Sequence, residues 1–166
     1  MGSIGHPAAY VRESAPRSGR LHHTEIRVRD MAASRGALGR LFEELGYTAG
    51  VSWKGGISYV GAHDYIVLES GPDVLDEPHR RKAPGVNHLA CSAGSRRKVD
   101  ELTWQAQSRG FVLLFAEAHP YAGGPARYAS YLADPAGFEI ELVADIAGTD
   151  GPDIAEPDAA SSNPAS

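Results

Sequence analysis

The first half of the chain opens with alternating apolar and polar residues and continues with a helical pattern. Residues 23–28 alternate with period two, as expected for a strand with one buried face. Asp30 is a suitable N-cap for the helix that follows, and Gly46 is a suitable end. Four apolar residues of this helix recur at helical spacing: Leu38, Leu41, Phe42 and Leu45. Three further strands are predicted at 47–53, 57–61 and 65–69.

The second half repeats this order. A strand at 88–93 precedes a helix for which Ser95 is the predicted N-cap and Gly110 the predicted end. Three more strands are predicted at 111–116, 128–133 and 138–143. The turn before the last strand, Asp134-Pro135-Ala136-Gly137, has the residues of a type I turn. The sequence therefore predicts an α+β fold of two tandem β-α-β-β-β modules.

Composition sets the limits of these modules. The predicted organisation is a disordered tail at 1–19, a first module at 20–71, a linker at 72–84, a second module at 85–147 and a disordered tail at 148–166. The tails are rich in Pro, Gly, Ala and Ser and lack apolar periodicity. The linker contains the basic run Arg80-Arg81-Lys82, which we expect to be a solvated loop.

Charge, hydropathy and cysteine content limit the partners and the cellular compartment that we expect for this protein. The net charge is −5 and the basic residues are scattered, so we expect no nucleic-acid partner. No apolar run reaches the roughly 18 residues of a membrane helix, and the first residues lack the apolar core of a signal peptide. We therefore expect a cytoplasmic protein with no membrane partner. The single cysteine, Cys91, excludes an internal disulfide and is expected to be a buried, inert thiol.

Two histidines and two glutamates occupy matched places in the repeat. His23 and His88 open the first strand of each module, and Glu69 and Glu141 lie in the last strands. Because side chains alternate along a strand, all four are expected on the sheet faces that the helices do not cover. Curved sheets carrying these residues would enclose a polar cavity, and buried carboxylates are costly unless they are paired or bound to metal.

The sequence thus predicts a metal cavity. Two imidazoles and two carboxylates suit one divalent ion such as Zn²⁺, Ni²⁺, Co²⁺, Mn²⁺ or Fe²⁺. Glu25 and Glu139 share the same face, one pleat from the predicted ligands. They are expected either to lie in water at the cavity rim or to accept hydrogen bonds from the ligating imidazoles.

The segment 134–142 resembles the C-terminal signature of the vicinal oxygen chelate superfamily, in which Asp-Pro-x-Gly precedes a metal-binding glutamate. Residues 21–30 resemble its opening strand, and glyoxalase I-like members are the most similar. The resemblance implies curved mixed sheets around a metal bound by His23, Glu69, His88 and Glu141. It also implies a homodimer and a small-molecule substrate, contacted by three further candidates: Arg27, His119 and Tyr121.

The resemblance implies an isomerase, epimerase or lyase of glyoxalase type. Such an enzyme abstracts a proton next to a metal-bound oxygen of a small organic substrate, and Glu141 or Glu69 would be the base. Two alternatives stay open, because fold does not fix chemistry. One is a non-haem iron dioxygenase, which needs two histidines and one glutamate. The other is an antibiotic-resistance or natural-product-binding protein, whose sequestering members lack the metal ligands.

Overall fold

The computed structural model describes residues 18–145, so the predicted tails at 1–19 and 148–166 lie almost entirely outside the described residues. The described chain forms two β-α-β-β-β modules, which confirms the predicted fold class. The strands of the first module are β1 (His23–Arg27), β2 (Thr48–Trp53), β3 (Gly56–Val60) and β4 (Tyr65–Glu69). Those of the second module are β5 (Leu89–Gly94), β6 (Val112–Leu114), β7 (Ala129–Ala133) and β8 (Glu139–Ala144).

The helix of the first module is divided into three parts. An α-helical turn, α1 (Met31–Ser34), leads into a π-helical segment (Arg35–Gly39) and then into α2 (Arg40–Glu44). Asp30 caps α1 as predicted, because its side chain accepts a hydrogen bond from the backbone N–H of Ala33 at 3.0 Å. The apolar spacing predicts a single regular helix, since it does not reveal the extra residue that a π-helical turn accommodates.

The second module has one continuous helix, α3 (Arg96–Ser108), and a 3-10 turn at Ala116–Ala118. Ser95 caps α3 as predicted, since its hydroxyl accepts a hydrogen bond from the N–H of Lys98 at 3.1 Å. The turn before β8 is also fixed by a side chain. One carboxylate oxygen of Asp134 accepts hydrogen bonds from the N–H groups of Ala136 and Phe138.

Both sheets have four strands and the same connectivity. Their strand orders are β1-β4-β3-β2 and β5-β8-β7-β6. In each sheet the first and last strands of the module pair in parallel, and the remaining neighbours pair in antiparallel fashion. The sheets are therefore mixed, as predicted, and the last strand of each module lies in the interior of its sheet.

The helix-facing sides of both sheets share one apolar core, to which both modules contribute fully buried residues: Leu38, Leu41, Phe42, Leu68, Val99, Leu102, Leu132, Ile140 and Leu142. An ion pair joins the two modules at the edge of this core, where Arg109 binds both carboxylate oxygens of Glu44 at 2.8 and 2.6 Å. Between residues 18 and 145, no helix is both long and apolar enough to cross a membrane.

Candidate active site

The side of the second sheet that faces away from the core carries a histidine–carboxylate pair. Glu141 lies on β8, in the interior of the sheet, and only 1% of its surface is exposed. His88 directly precedes β5, and its Nε2 lies 3.1 Å from Oε2 of Glu141. Ile140 and Leu142 point into the core, so the alternation along β8 places Glu141 on the opposite face. His88 and Glu141 therefore meet as the sequence predicts.

Asn87 determines how the imidazole of His88 is protonated. The amide N–H of Asn87 donates to the carbonyl oxygen of Arg81 at 3.2 Å, so its Oδ1 faces Nδ1 of His88 at 2.9 Å. Since Oδ1 can only accept, the hydrogen-bond network assigns the proton to Nδ1. In the neutral ring, Nε2 then turns a lone pair toward Oε2 of Glu141, and two acceptors at this distance need a proton or a cation between them.

Glu139 lies two residues before Glu141 on the same face of β8 and is also only 1% exposed. Nη1 of Arg81 lies 2.9 Å from Oε2 of Glu139. This geometry corrects two expectations. Glu139 does not lie in water at a cavity rim, and Arg81 is not part of a solvated loop, because its guanidinium folds back onto the sheet to compensate a buried carboxylate.

Arg127 and Tyr131 complete the surroundings of Glu141. Nη1 of Arg127 lies 3.7 Å from Oε1 of Glu141, and Tyr131 pairs directly with Glu141 in the β7–β8 ladder. Burial raises the pKa of Tyr131, and the carboxylate of Glu141 raises it further, while Arg127 opposes the shift. Tyr131 therefore stays a protonated hydrogen-bond donor at neutral pH.

Gly123 allows the preceding loop to approach these residues closely. A Cβ atom at this position would lie 2.7 Å from the hydroxyl oxygen of Tyr131 and 3.0 Å from Cδ of Arg127. On the other side of Tyr131, the ring of Phe115 packs edge-on at a centroid distance of 5.6 Å. The loop at Gly123 and the ring of Phe115, which directly follows β6, thus hold the phenol of Tyr131 in place beside Glu141.

The first sheet does not repeat this arrangement. His23 pairs with Tyr65 in the β1–β4 ladder and stacks on its ring at a centroid distance of 4.8 Å. Glu69 pairs with Arg27 at the other end of the same ladder. Tyr65 and Glu69 are four positions apart on β4, which corresponds to roughly 13 Å along a strand. The structure therefore does not bring His23 and Glu69 together.

The ladder registers identify the true counterpart of Glu141. The residue after His23, Thr24, pairs with Ile66, and the residue after His88, Leu89, pairs with Ile140. The next residue along β4 is Val67 and along β8 is Glu141. The predicted equivalence of Glu69 with Glu141 is thus wrong, because the position of a carboxylate on the correct face does not fix its place along the ladder.

The predicted set of four metal ligands is consequently not assembled within one chain. Among residues 18–145, no three His, Cys, Asp or Glu side chains lie close enough together to hold a metal ion. The donor pair that the chain does assemble is His88 with Glu141. Its chemistry suits a divalent cation, since the lone pair of Nε2 and a buried carboxylate face each other and Asn87 fixes the imidazole from behind.

The other predicted site residues are described by contacts with residues other than His88 and Glu141. Arg27 donates to the carbonyl oxygen of Asp73 at 3.3 Å. Tyr121 is exposed and packs edge-on against Tyr128. His119 is half-buried, and its Nδ1 has no hydrogen-bond partner among the described residues. Glu25 is exposed near Arg27, at 4.0 Å.

Sequence reasoning missed four residues around Glu141: Arg81, Asn87, Arg127 and Tyr131. Only Tyr131 carried a usable signal, because it alternates with the buried Leu132 and so faces the same side of the sheet as Glu141. The other three lie in connecting segments without periodicity, where no pattern predicts which side chains turn toward the sheet.

Comparison with known proteins agrees with this fold, although a search of family models finds no match. The chain is 38% identical over 125 residues to the uncharacterised protein YqjT of Bacillus subtilis, a match that covers 75% of this chain and 98% of YqjT. It resembles the crystal structure of a proposed glyoxalase from Bacillus halodurans, with 41% identity, a TM-score of 0.72 and coverage of 77% of this chain and 97% of that one.

A glyoxalase/bleomycin resistance protein from Albidiferax ferrireducens has the same fold, with a TM-score of 0.62 at 21% identity. That match covers 75% of this chain and 98% of the other. The two β-α-β-β-β modules agree with both structural matches, which share this fold. The chain therefore belongs to the glyoxalase/bleomycin resistance protein/dioxygenase family, within the vicinal oxygen chelate superfamily.

Proposed function

We propose that this protein is an enzyme of glyoxalase type that removes a proton from a carbon next to an oxygen of a small organic substrate. The supporting observation is the state of Glu141. Its Oε2 faces His88, whereas its Oε1 is buried, makes no hydrogen bond of good geometry to a described residue and lies 3.7 Å from Nη1 of Arg127. A buried carboxylate oxygen left without a donor is costly in a purely structural site and is suited to accept a proton from a ligand.

The surrounding residues have separate roles in this proposal. Glu141 is the base, and its Oε1 takes the proton from the substrate carbon. His88 would share a proton or a bound cation with the other carboxylate oxygen and so hold it in place, with Asn87 fixing the imidazole. Tyr131, as a protonated phenol, and Arg127 would stabilise the negative charge that develops on the substrate oxygen. The side chain of Arg127 is 56% exposed, so its guanidinium is accessible to a substrate.

The divalent metal that the family resemblance implies is part of this proposal, with a smaller ligand set than the sequence predicts. His88 and Glu141 would hold the ion, and further donors would come from water, substrate or a second copy of the chain. When bound, the ion would polarise a substrate oxygen as a Lewis acid. Glu69 has no place in this set, so Glu141 is the base that we favour. We also retain the homodimer as a proposal.

The function can be tested by hydrogen exchange on a panel of probes that covers several classes of substrate. The purified protein, with and without added divalent metal, is incubated with each probe under nitrogen in deuterated water. The panel contains the glutathione hemithioacetal of methylglyoxal and small 2-hydroxy and 2-oxo carbonyl compounds. We expect NMR to show deuterium at the carbon next to the carbonyl of at least one compound, and none with E141Q.

The same experiment distinguishes the alternatives. Turnover that requires O₂ and proceeds without exchange would instead identify a dioxygenase. Tight binding of a compound without turnover or exchange would identify a binding or resistance protein. Without Glu69, the predicted ligands that remain are His23, His88 and Glu141, which are the two histidines and one glutamate that a dioxygenase needs, so the oxygen-dependent arm is essential.

A further inference from the structure

Two arginines from different connecting segments lie beside the buried carboxylates of β8. Arg81, from the segment between the modules, lies 2.9 Å from Glu139, and Arg127, from the segment before β7, lies 3.7 Å from Glu141. Because Glu139 and Glu141 are two residues apart on one face, their positions along the strand differ by about 6.5–7 Å. The two guanidinium groups therefore border the His88–Glu141 pair.

Neither arginine uses its full hydrogen-bonding capacity on these carboxylates. The distance from Arg127 to Oε1 of Glu141 exceeds that of a hydrogen bond, and Oε1 makes no other hydrogen bond of acceptable geometry among the described residues. Oε2 of Glu139 likewise has no hydrogen bond of acceptable geometry within residues 18–145, although Arg81 is near. A guanidinium offers five N–H donors in a planar fork that matches an oxyanion, so most of these donors remain available to a ligand.

Both arginines are also held at the site. The backbone of Arg81 is bound by Asn87, the residue that orients His88, and its guanidinium lies 6.0 Å from the ring centroid of Phe115. The side chain of Arg127 packs against Gly123. If these residues served only to neutralise Glu139 and Glu141, closed bidentate ion pairs would be expected, as between Arg109 and Glu44.

We infer that Arg81 and Arg127 bind an anionic oxyacid group of the substrate, a carboxylate or a phosphate, and that this group lies within one or two bonds of the reacting carbon. The inference rests on the proposed function for the position of the reacting carbon. It adds the substrate class, which is a small organic acid or phosphate ester and not a neutral carbonyl compound.

The test compares two probes of equal size and different charge, 2-hydroxybutyrate and 2-hydroxybutyramide, with inorganic phosphate as a third. Binding is followed by NMR through the Nε–H signals of the arginines, with the protein as isolated and again after treatment with a chelator. We expect the acid to bind at least tenfold more tightly than the amide, with and without the chelator. Phosphate binding as tight as that of the acid would assign the site to phosphate esters, and weaker binding would assign it to carboxylates.

Variants separate recognition from folding. R127Q is expected to weaken binding of the preferred anion at least tenfold, whereas R97Q, which removes an arginine paired with Glu101 on α3, is expected to leave it unchanged. Since R81Q would leave Glu139 buried without a cation, R81K and the double variant R81Q/E139Q are used for Arg81. Both are expected to weaken binding, because neither has the guanidinium fork.

Equal binding of acid and amide would overturn the inference, and so would affinity in R127Q and R81Q/E139Q equal to that of the unmodified protein. E141Q distinguishes this failure from failure of the proposed function. It lacks the base and keeps both arginines, so it is expected to bind the anion without exchanging hydrogen. Arginine-dependent binding in a protein that catalyses no exchange would refute the proposed function and leave this inference standing.

Discussion

Nε2 of His88 lies 3.1 Å from Oε2 of Glu141, while Nδ1 of the same ring faces the side-chain oxygen of Asn87. Three residues from two segments thus fix one imidazole and one buried carboxylate relative to each other. The second oxygen of Glu141 makes no hydrogen bond of good geometry among the described residues, although Tyr131 and Arg127 lie beside this carboxylate. The proposed chemistry depends on this asymmetry between the two oxygens of one carboxylate.

The ladder register makes a prediction about metal content. We expect H88A and E141Q to retain less than about a tenth of the divalent metal that the unmodified protein binds, because each removes one of two donors. E69Q is expected to bind as much metal as the unmodified protein, since Glu69 lies at the far end of the β1–β4 ladder. Elemental analysis after reconstitution measures all three. Loss of metal from E69Q would contradict this prediction and support the four ligands predicted from the sequence.

Asn87 is expected to act as a positioning residue. N87A removes the acceptor that fixes the proton on Nδ1 of His88, and we expect a 10- to 100-fold loss of exchange activity. N87D keeps an acceptor oxygen and is expected to retain the tautomer. The nitrogen chemical shifts of the His88 ring distinguish the two variants independently of activity. An unchanged tautomer in N87A would show that Asn87 has no such role.

The bidentate pair between Glu44 and Arg109 is expected to stabilise the contact between modules. Both side chains are only about one-fifth exposed, so screening by water is limited. We expect R109Q to lower the free energy of unfolding by about 1–2 kcal/mol. R97Q, which removes an exposed pair on α3, is expected to change it by less than about 0.5 kcal/mol. Urea denaturation of both variants gives the comparison, and equal effects would contradict a special role for Glu44 and Arg109.

Cys91 is expected to be unreactive and to make the fold sensitive to alkali. Burial raises the pKa of its thiol to about 11, and the nearby charge of Asp64 adds to the shift. The unfolded chain releases this proton at lower pH, so the contribution to stability is complete below about pH 9 and is lost as pH rises through about 11. Urea denaturation of C91A should show a weaker loss of stability over this interval, and an identical loss would contradict the assignment.

The fold could be predicted from the sequence because its determinants are local. Alternation in β1 and β8, helical spacing in α3, and the caps Asp30 and Ser95 each specify one element without reference to the rest of the chain. The face of each strand follows from the same alternation, which is why the meeting of His88 and Glu141 is predictable.

The register of distant strands could not be predicted in this way. Pairing of β1 with β4 and of β5 with β8 joins segments that are far apart in the chain, and the second module has nine more residues between the paired positions than the first. Glu69 and Glu141 therefore look equivalent in sequence while Val67 is the equivalent residue in the ladder. Contacts from connecting segments, such as those of Arg81 and Arg127, carry no periodic signal at all.

The most direct test of the proposed chemistry compares E141Q with E139Q in the deuterium-exchange experiment. The two glutamates lie on the same face of the same strand and are equally buried, so the substitutions carry similar structural costs. We predict that E141Q lowers the exchange rate at least 100-fold and that E139Q lowers it by no more than about tenfold. Full exchange in E141Q, or a greater loss in E139Q, would contradict the assignment of Glu141 as the base.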